Sequence, residues 1–158
     1  MSWTVVKSSD PRARALRDRH YSTKRPGGRT VGPPGRRLVL VDEAAGALWV
    51  THWPDPKLAL DGIDALRCTV FRREGGELPL TLFELELDER PASTMVLEAM
   101  RLSESVFGPA PAGWLTYVEP AKVASEVPGY CFRRAGYRRD RAWAHPRLIR
   151  LRRSSLAD

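Results

Sequence analysis

Apolar positions recur along the chain in two rhythms, one of period two and one near 3.6. Trp3–Lys7 alternates as a first strand. Asp10-Pro11 then starts a helix that runs to about Arg19: an aspartate caps free amides, and proline suits a first helical turn. Ala13, Leu16 and His20 share one face of it, which turns His20 inward or into a cleft. Leu38–Val41 and Ala47–Trp53 flank a short acidic turn ending in Gly46, which predicts a hairpin. Ala65–Arg72 alternates as another strand, and Leu80–Leu87 as a further one with imperfect phase. Pro91, preceded by Asp88 and Glu89, opens a helix whose apolar face is Ala92, Met95, Val96, Ala99, Leu102 and Val106; Gly108-Pro109 stops it. Trp114–Val118 reads as a short buried strand, Gly129–Gly136 as a shorter helix, and Tyr137 begins an arginine-rich strand that continues through Arg141–Arg153.

The resulting order, β-α-β-β-β-β-α-β-α-β, predicts an α+β domain with a mixed, mostly antiparallel sheet flanked by helices. It spans residues 1–153, with 154–158 as a frayed tail. A length of 158 residues is enough for one real core. A hydrophobic content of 42% argues against disorder. No run is long enough to span a membrane, and the opening residues lack a signal-peptide pattern, so the expectation is a cytoplasmic protein with no membrane partner. Cys68 and Cys131, far apart and without zinc spacing, are expected to be reduced structural thiols.

Charge adds a second layer. Of 26 basic residues, 19 lie in residues 1–41 and 129–158, and 15 of the 19 acids lie between. A fold that joins the two ends would have one strongly positive face, suited to a phosphate backbone. Residues 24–37 hold three prolines, four glycines and five basic residues, which reads equally as an arm that follows a polyanion or as a plain surface loop.

The chemistry-bearing residues are few: His20, Tyr21 and Ser22 after the first helix, Tyr117 and Glu119 around the end of the short strand, and His52 and His145. Each has a bland alternative. His20 is also readable as a packed histidine, Tyr21 as a rim aromatic, and Glu119-Pro120 as a strand terminator. Tyr117 and Glu119 alternate along one face, which would let them share a pocket.

The order Gly113-Trp-Leu-Thr-Tyr-Val-Glu-Pro120, then Pro128-Gly-Tyr-Cys-Phe-Arg-Arg-Ala-Gly-Tyr-Arg138, resembles phage and prophage proteins with a GNAT-like (acetyltransferase-type) fold, among which the Mom DNA-modification family is the best-known branch. Ala135-Gly136-Tyr137-Arg138 is similar to the signature that closes many GNAT domains. His20-Tyr21-Ser22 and Cys68-Thr-Val-Phe-Arg72 add to the likeness.

The resemblance implies a transferase that attaches a small carbon group to the exocyclic amine of adenine in DNA. His20, Tyr21 and Glu119 would line its site, and Tyr117 joins them through its alternation with Glu119. Ser22, Lys24, Arg25, Arg29, Arg36, Arg133, Arg134 and Arg138 would hold substrate or DNA. The donor would be acyl-CoA or another small acyl donor, and iron is a possible cofactor by the same likeness. The sequence departs from the pattern at two points. Phe132 stands where that family has a tyrosine. Arg72-Arg73-Glu74-Gly75-Gly76, the nearest match to the pyrophosphate turn of ordinary members, has its glycines misplaced. A conventional acyl-CoA-dependent N-acetyltransferase and a non-enzymatic nucleic-acid-binding module remain the alternatives.

Overall fold

The computed structural model describes residues 3–21, 23, 25–74, 91–123 and 127–157. Ser22 and Lys24, and the strand expected at 80–87, lie outside the described residues. The rest forms a mixed seven-stranded sheet. The elements are β1 (Thr4–Val6), α1 (Pro11–Asp18), β2 (Arg37–Asp42), β3 (Ala47–His52), β4 (Leu66–Arg73), α2 (Ala92–Phe107), β5 (Trp114–Val118), a 3-10 turn at Pro120–Lys122, α3 (Tyr130–Arg134), β6 (Arg138–Arg139) and β7 (Ile149–Arg153). The strand order is β1-β2-β3-β4-β5-β7-β6. Every neighbouring pair is antiparallel except β4 and β5, which run parallel. No helix among the described residues is long and apolar enough to cross a membrane.

Alternation on β2 and β3 sorts the core onto the two faces of the sheet. Leu38, Leu40, Ala47 and Trp49 face α2 and α3, while Val39, Val41, Leu48 and Val50 face α1. Trp49 is fully buried and meets the rings of Phe71, Trp114 and Phe132 at 5.7, 6.1 and 6.2 Å. Its indole N–H donates to Thr51 Oγ1 at 2.7 Å, which in turn meets Ser103 Oγ at 2.7 Å. This chain explains a difference on α2: the buried stripe swings to include Met100 and Ser103, whereas Val106 in the last turn is exposed. Ser103 tolerates burial because its hydroxyl also donates to the Ala99 carbonyl.

Asp10 caps α1 by accepting the N–H groups of Arg12 and Ala13. The glycine-rich stretch after it is fastened rather than free. Arg17 donates to the carbonyls of Thr30 and Gly28, and Arg37 to those of Gly32 and Pro33. Val31 is fully buried in the core beneath α1.

The C-terminal end differs from expectation in two ways. The single long strand is interrupted: residues 140–148 form a turn, organised by His145 Nδ1 accepting the N–H groups of Arg147 and Leu148, and pairing resumes only at Ile149. The expected frayed tail is instead held down. Ser155 is buried, and Glu104 accepts the N–H groups of Leu156 and Ala157 as well as the Trp114 indole N–H.

Candidate functional site

The parallel pair β4/β5 is short. Its register runs Leu66↔Trp114, Arg67↔Leu115 and Cys68↔Thr116, and ends there. On the other side of β4, Thr51 pairs with Cys68 and Val50 with Val70, so Thr69 is an extra residue. A β-bulge therefore sits at the point where β4 leaves β5, and bulges bend and twist a strand. The bulge also switches faces: Leu66 and Cys68 point to the α2 side, Val70 to the α1 side and Phe71 back to the α2 side. Backbone groups released from the ladder find new partners, as buried amides must. The Val70 N–H meets the Cys68 thiol, and the Phe71 carbonyl accepts from the His20 ring.

A cavity of about 360 Å³ occupies this gap. His20 and Tyr21 form one wall, Cys68, Thr69 and Phe71 a second, Thr116 to Val118 a third, and Tyr130 to Phe132 the opposite lip. Gly129 lines the gap at α3; its φ of 74° favours glycine, and a Cβ there would press on the Leu151 side chain. The rings of His20 and Tyr21 stack at 4.4 Å and 29°. Burial, with Arg72 nearby, lowers the His20 pKa to about 4, against the pull of its bond to Phe71. The imidazole is thus neutral at pH 7. Burial raises the Tyr21 pKa, opposed by the backbone N–H of Glu119.

His20, Tyr21 and Tyr117 thus line one hollow. Glu119 reaches it through its backbone; its carboxylate pairs with Lys122 at 3.7 Å. Tyr117 and Glu119 do not share a pocket through their side chains, because β5 ends at Val118 and the Tyr117 hydroxyl turns to Asp61. Phe132, with 7% exposure, belongs to the ring cluster of Trp49, Phe71 and Tyr137. The two cysteines, 63 positions apart in sequence, both border this hollow and both are free. Burial raises both thiol pKa values, Cys131 to about 11. Among the described residues no three His, Cys, Asp or Glu side chains converge, so this donor set does not fit the iron that the resemblance suggests.

A second cavity of about 550 Å³ lies beyond Tyr117, which lines both. Sequence reasoning missed its central acid. Asp61 forms a two-pronged ion pair with Arg67 and accepts from Tyr117 at 2.6 Å, and these bonds hold its carboxyl far below the usual range despite partial burial. The only sequence cue was an Asp-Gly turn. His52, His145 and Trp143 line this same cavity.

The arginines divide by use. Arg36 lies over the Trp53 ring at 4.2 Å and donates to the Trp53 carbonyl, while Arg133 donates to the Pro128 carbonyl. Arg25 and Arg29 are exposed in the fastened loop. Arg134, Arg138, Arg139, Arg141 and Arg147 are exposed, with no hydrogen bond or ion pair from their guanidinium groups among the described residues. They lie on α3, which lines the first cavity, on β6, and on the following turn, which lines the second.

No family model, curated protein or solved structure matches the chain at a significant level.

Proposed function

We propose that the chain is a GNAT-like transferase that moves a small acyl-type group onto an amine, with a DNA base amine as the acceptor in the manner of the Mom-like family. The observation that carries this reading is the parting of the parallel pair β4/β5 at Cys68–Thr116, next to a bulge, with the neutral His20 and Tyr21 across the gap. Such a gap provides what acyl transfer needs: backbone amides freed from the ladder, an apolar slot for the donor and a proton acceptor nearby.

In this reading the acceptor nitrogen attacks the donor's carbonyl carbon. The carbonyl oxygen gains charge, for which we assign the Val70 N–H, now resting against the weakly accepting Cys68 thiol. The carbon–sulfur bond of a thioester donor then breaks, and sulfur leaves with the electron pair. An exocyclic amine gives up its proton readily only after the new C–N bond has formed. A weak base such as His20 therefore suffices, and Tyr21 orients it by stacking. The exposed, unpaired arginines from Arg134 to Arg147 favour a polyanionic acceptor. A base within a duplex is out of reach, so it would be flipped out.

The test is mass spectrometry of nucleosides from cells expressing the protein, beside a His20→Ala control. A modified nucleoside present with the wild-type chain and absent with the variant is the expected result. Unmodified DNA in both samples would overturn the DNA acceptor. A second reading, an acyl-CoA-dependent N-acetyltransferase acting on a small amine, is favoured by the small-molecule size of the second cavity. Calorimetric binding of acetyl-CoA together with unmodified DNA would select it.

A further inference from the structure

The second cavity is built from features that the donor cleft does not use. On one side His145 stacks on Trp143 at 5.5 Å and 9°, nearly parallel, and Arg150 sits over Trp143 at 5.1 Å. His145 is exposed, so this stack of guanidinium, indole and imidazole ends on an open ring. Because His145 Nδ1 accepts two backbone N–H groups, the ring is pinned in place and its proton lies on Nε2. Leu58 and Leu60, on another wall of the same cavity, are 83% and 109% exposed, an apolar pair that no described residue covers. Polar edges complete the enclosure: Asp61, the Tyr117 hydroxyl, and Arg67, whose buried Nε has no partner among the described residues.

We propose that this cavity is a nucleotide site. Its base would lie against the Trp143–His145 stack under Leu58 and Leu60, and its phosphate would meet Arg141 and Arg147. A flat ring continues a stack that stops at an exposed imidazole. Arg141 and Arg147 flank the two stacked residues in sequence, and their guanidinium groups have no partner among the described residues, so an anion is the fitting neighbour. A cationic amine fits poorly: burial, and after it the nearby Arg67, Arg36 and Arg37, disfavour the protonated form of His52 in the same wall. The site deepens the transferase reading by giving the acceptor a place across Tyr117 from the donor, and it rests on that reading for its purpose though not for its binding.

The shared chemistry, a planar base joined to a phosphate, comes either from a free nucleotide or from a nucleotide turned out of a strand. Calorimetry with a 5′-mononucleotide (AMP), ribose 5-phosphate and a short single-stranded oligonucleotide separates these. AMP is expected to bind at least tenfold more tightly than ribose 5-phosphate. Leu58→Ser with Leu60→Ser, both surface changes, should weaken AMP about tenfold, and Arg147→Gln should weaken it severalfold. Tyr21→Phe, in the other cavity, should leave AMP binding within twofold. Oligonucleotide that displaces AMP marks a strand as the source; failure to displace it marks the free nucleotide. The proposal is overturned if AMP binds no better than ribose 5-phosphate, or if the leucine pair leaves binding intact with melting unchanged. Modified nucleosides without AMP binding would remove this site alone, and AMP binding with unmodified DNA would remove the DNA-modifying reading alone.

Discussion

The Tyr117 hydroxyl donates to Asp61 Oδ2 at 2.6 Å, across 56 positions of sequence, and this bond crosses the wall between the two cavities. The same carboxylate holds Arg67, which is largely buried on β4. Removing either end has unequal effects. Tyr117→Phe deletes one donor and should lower unfolding stability by about 1 kcal/mol. Asp61→Ala leaves a buried guanidinium without its partner and should cost about 3 kcal/mol or more. Urea unfolding at pH 7 measures both, and equal losses would contradict the central place given to Asp61.

His20 should titrate in an unusual window. Its folded pKa of about 4 lies below the ordinary 6.5, because the charged imidazole is poorly solvated and faces Arg72. The unfolded chain therefore binds a proton first. This contribution to stability is complete above about pH 6.5 and is lost as pH falls toward 4. His52, also lowered, acts in the same direction. Proton NMR of the three histidines, with His20→Gln to assign one signal, should show a midpoint near 4 for His20. A midpoint near 6.5 would show that the ring is not buried beside Arg72.

Two left-handed glycines give a paired test of backbone crowding. Gly108 has φ of 79° and open space where a Cβ would sit, whereas Gly113 has φ of 73° and a Cβ there would collide with the Arg153 carbonyl oxygen. Gly108→Ala should cost about 1 kcal/mol, from conformation alone. Gly113→Ala should cost at least about 3 kcal/mol, because the clash is with backbone at the β5/β7 junction. Thermal melts of both variants decide it; similar shifts would mean that the backbone at Arg153 does not crowd Gly113.

The division of arginines predicts different salt dependence if DNA is bound. Arg138→Gln with Arg139→Gln should lower the slope of log affinity against log salt by about two, since each free cation that meets a phosphate contributes about 0.9. Arg36→Gln should leave the slope unchanged, because Arg36 is engaged with Trp53 and its carbonyl. Binding titrations over a range of salt check this. Equal slope changes would mean that the engaged arginine is also at the interface.

Much of the architecture was legible because local rules decided it. The alternation of Leu38–Val41 and Ala47–Trp53, and the Asp10-Pro11 start of α1, are short-range signals, and both elements form. The Arg141–Arg153 stretch misled because its composition suits a strand, while Asp140, His145 and Pro146 supply turn chemistry that competes with pairing. The expected fraying after Arg153 overlooked Glu104, whose carboxylate collects distant amides only once α2 is packed.

The sequence by itself determined the β2/β3 hairpin and the start of α1, the excess of arginine at both ends, and the presence of His20-Tyr21 just after a helix. Its nearest-neighbour patterns carry that information. Only the tertiary structure decided that Cys68 and Cys131 border one hollow, that Asp61 anchors a second, and which arginines remain free. The first of those outcomes lies where β4 parts from β5, beside a single extra residue at Thr69, opposite Val50 and Thr51, and that register is set by a partner strand that period-two alternation does not reveal.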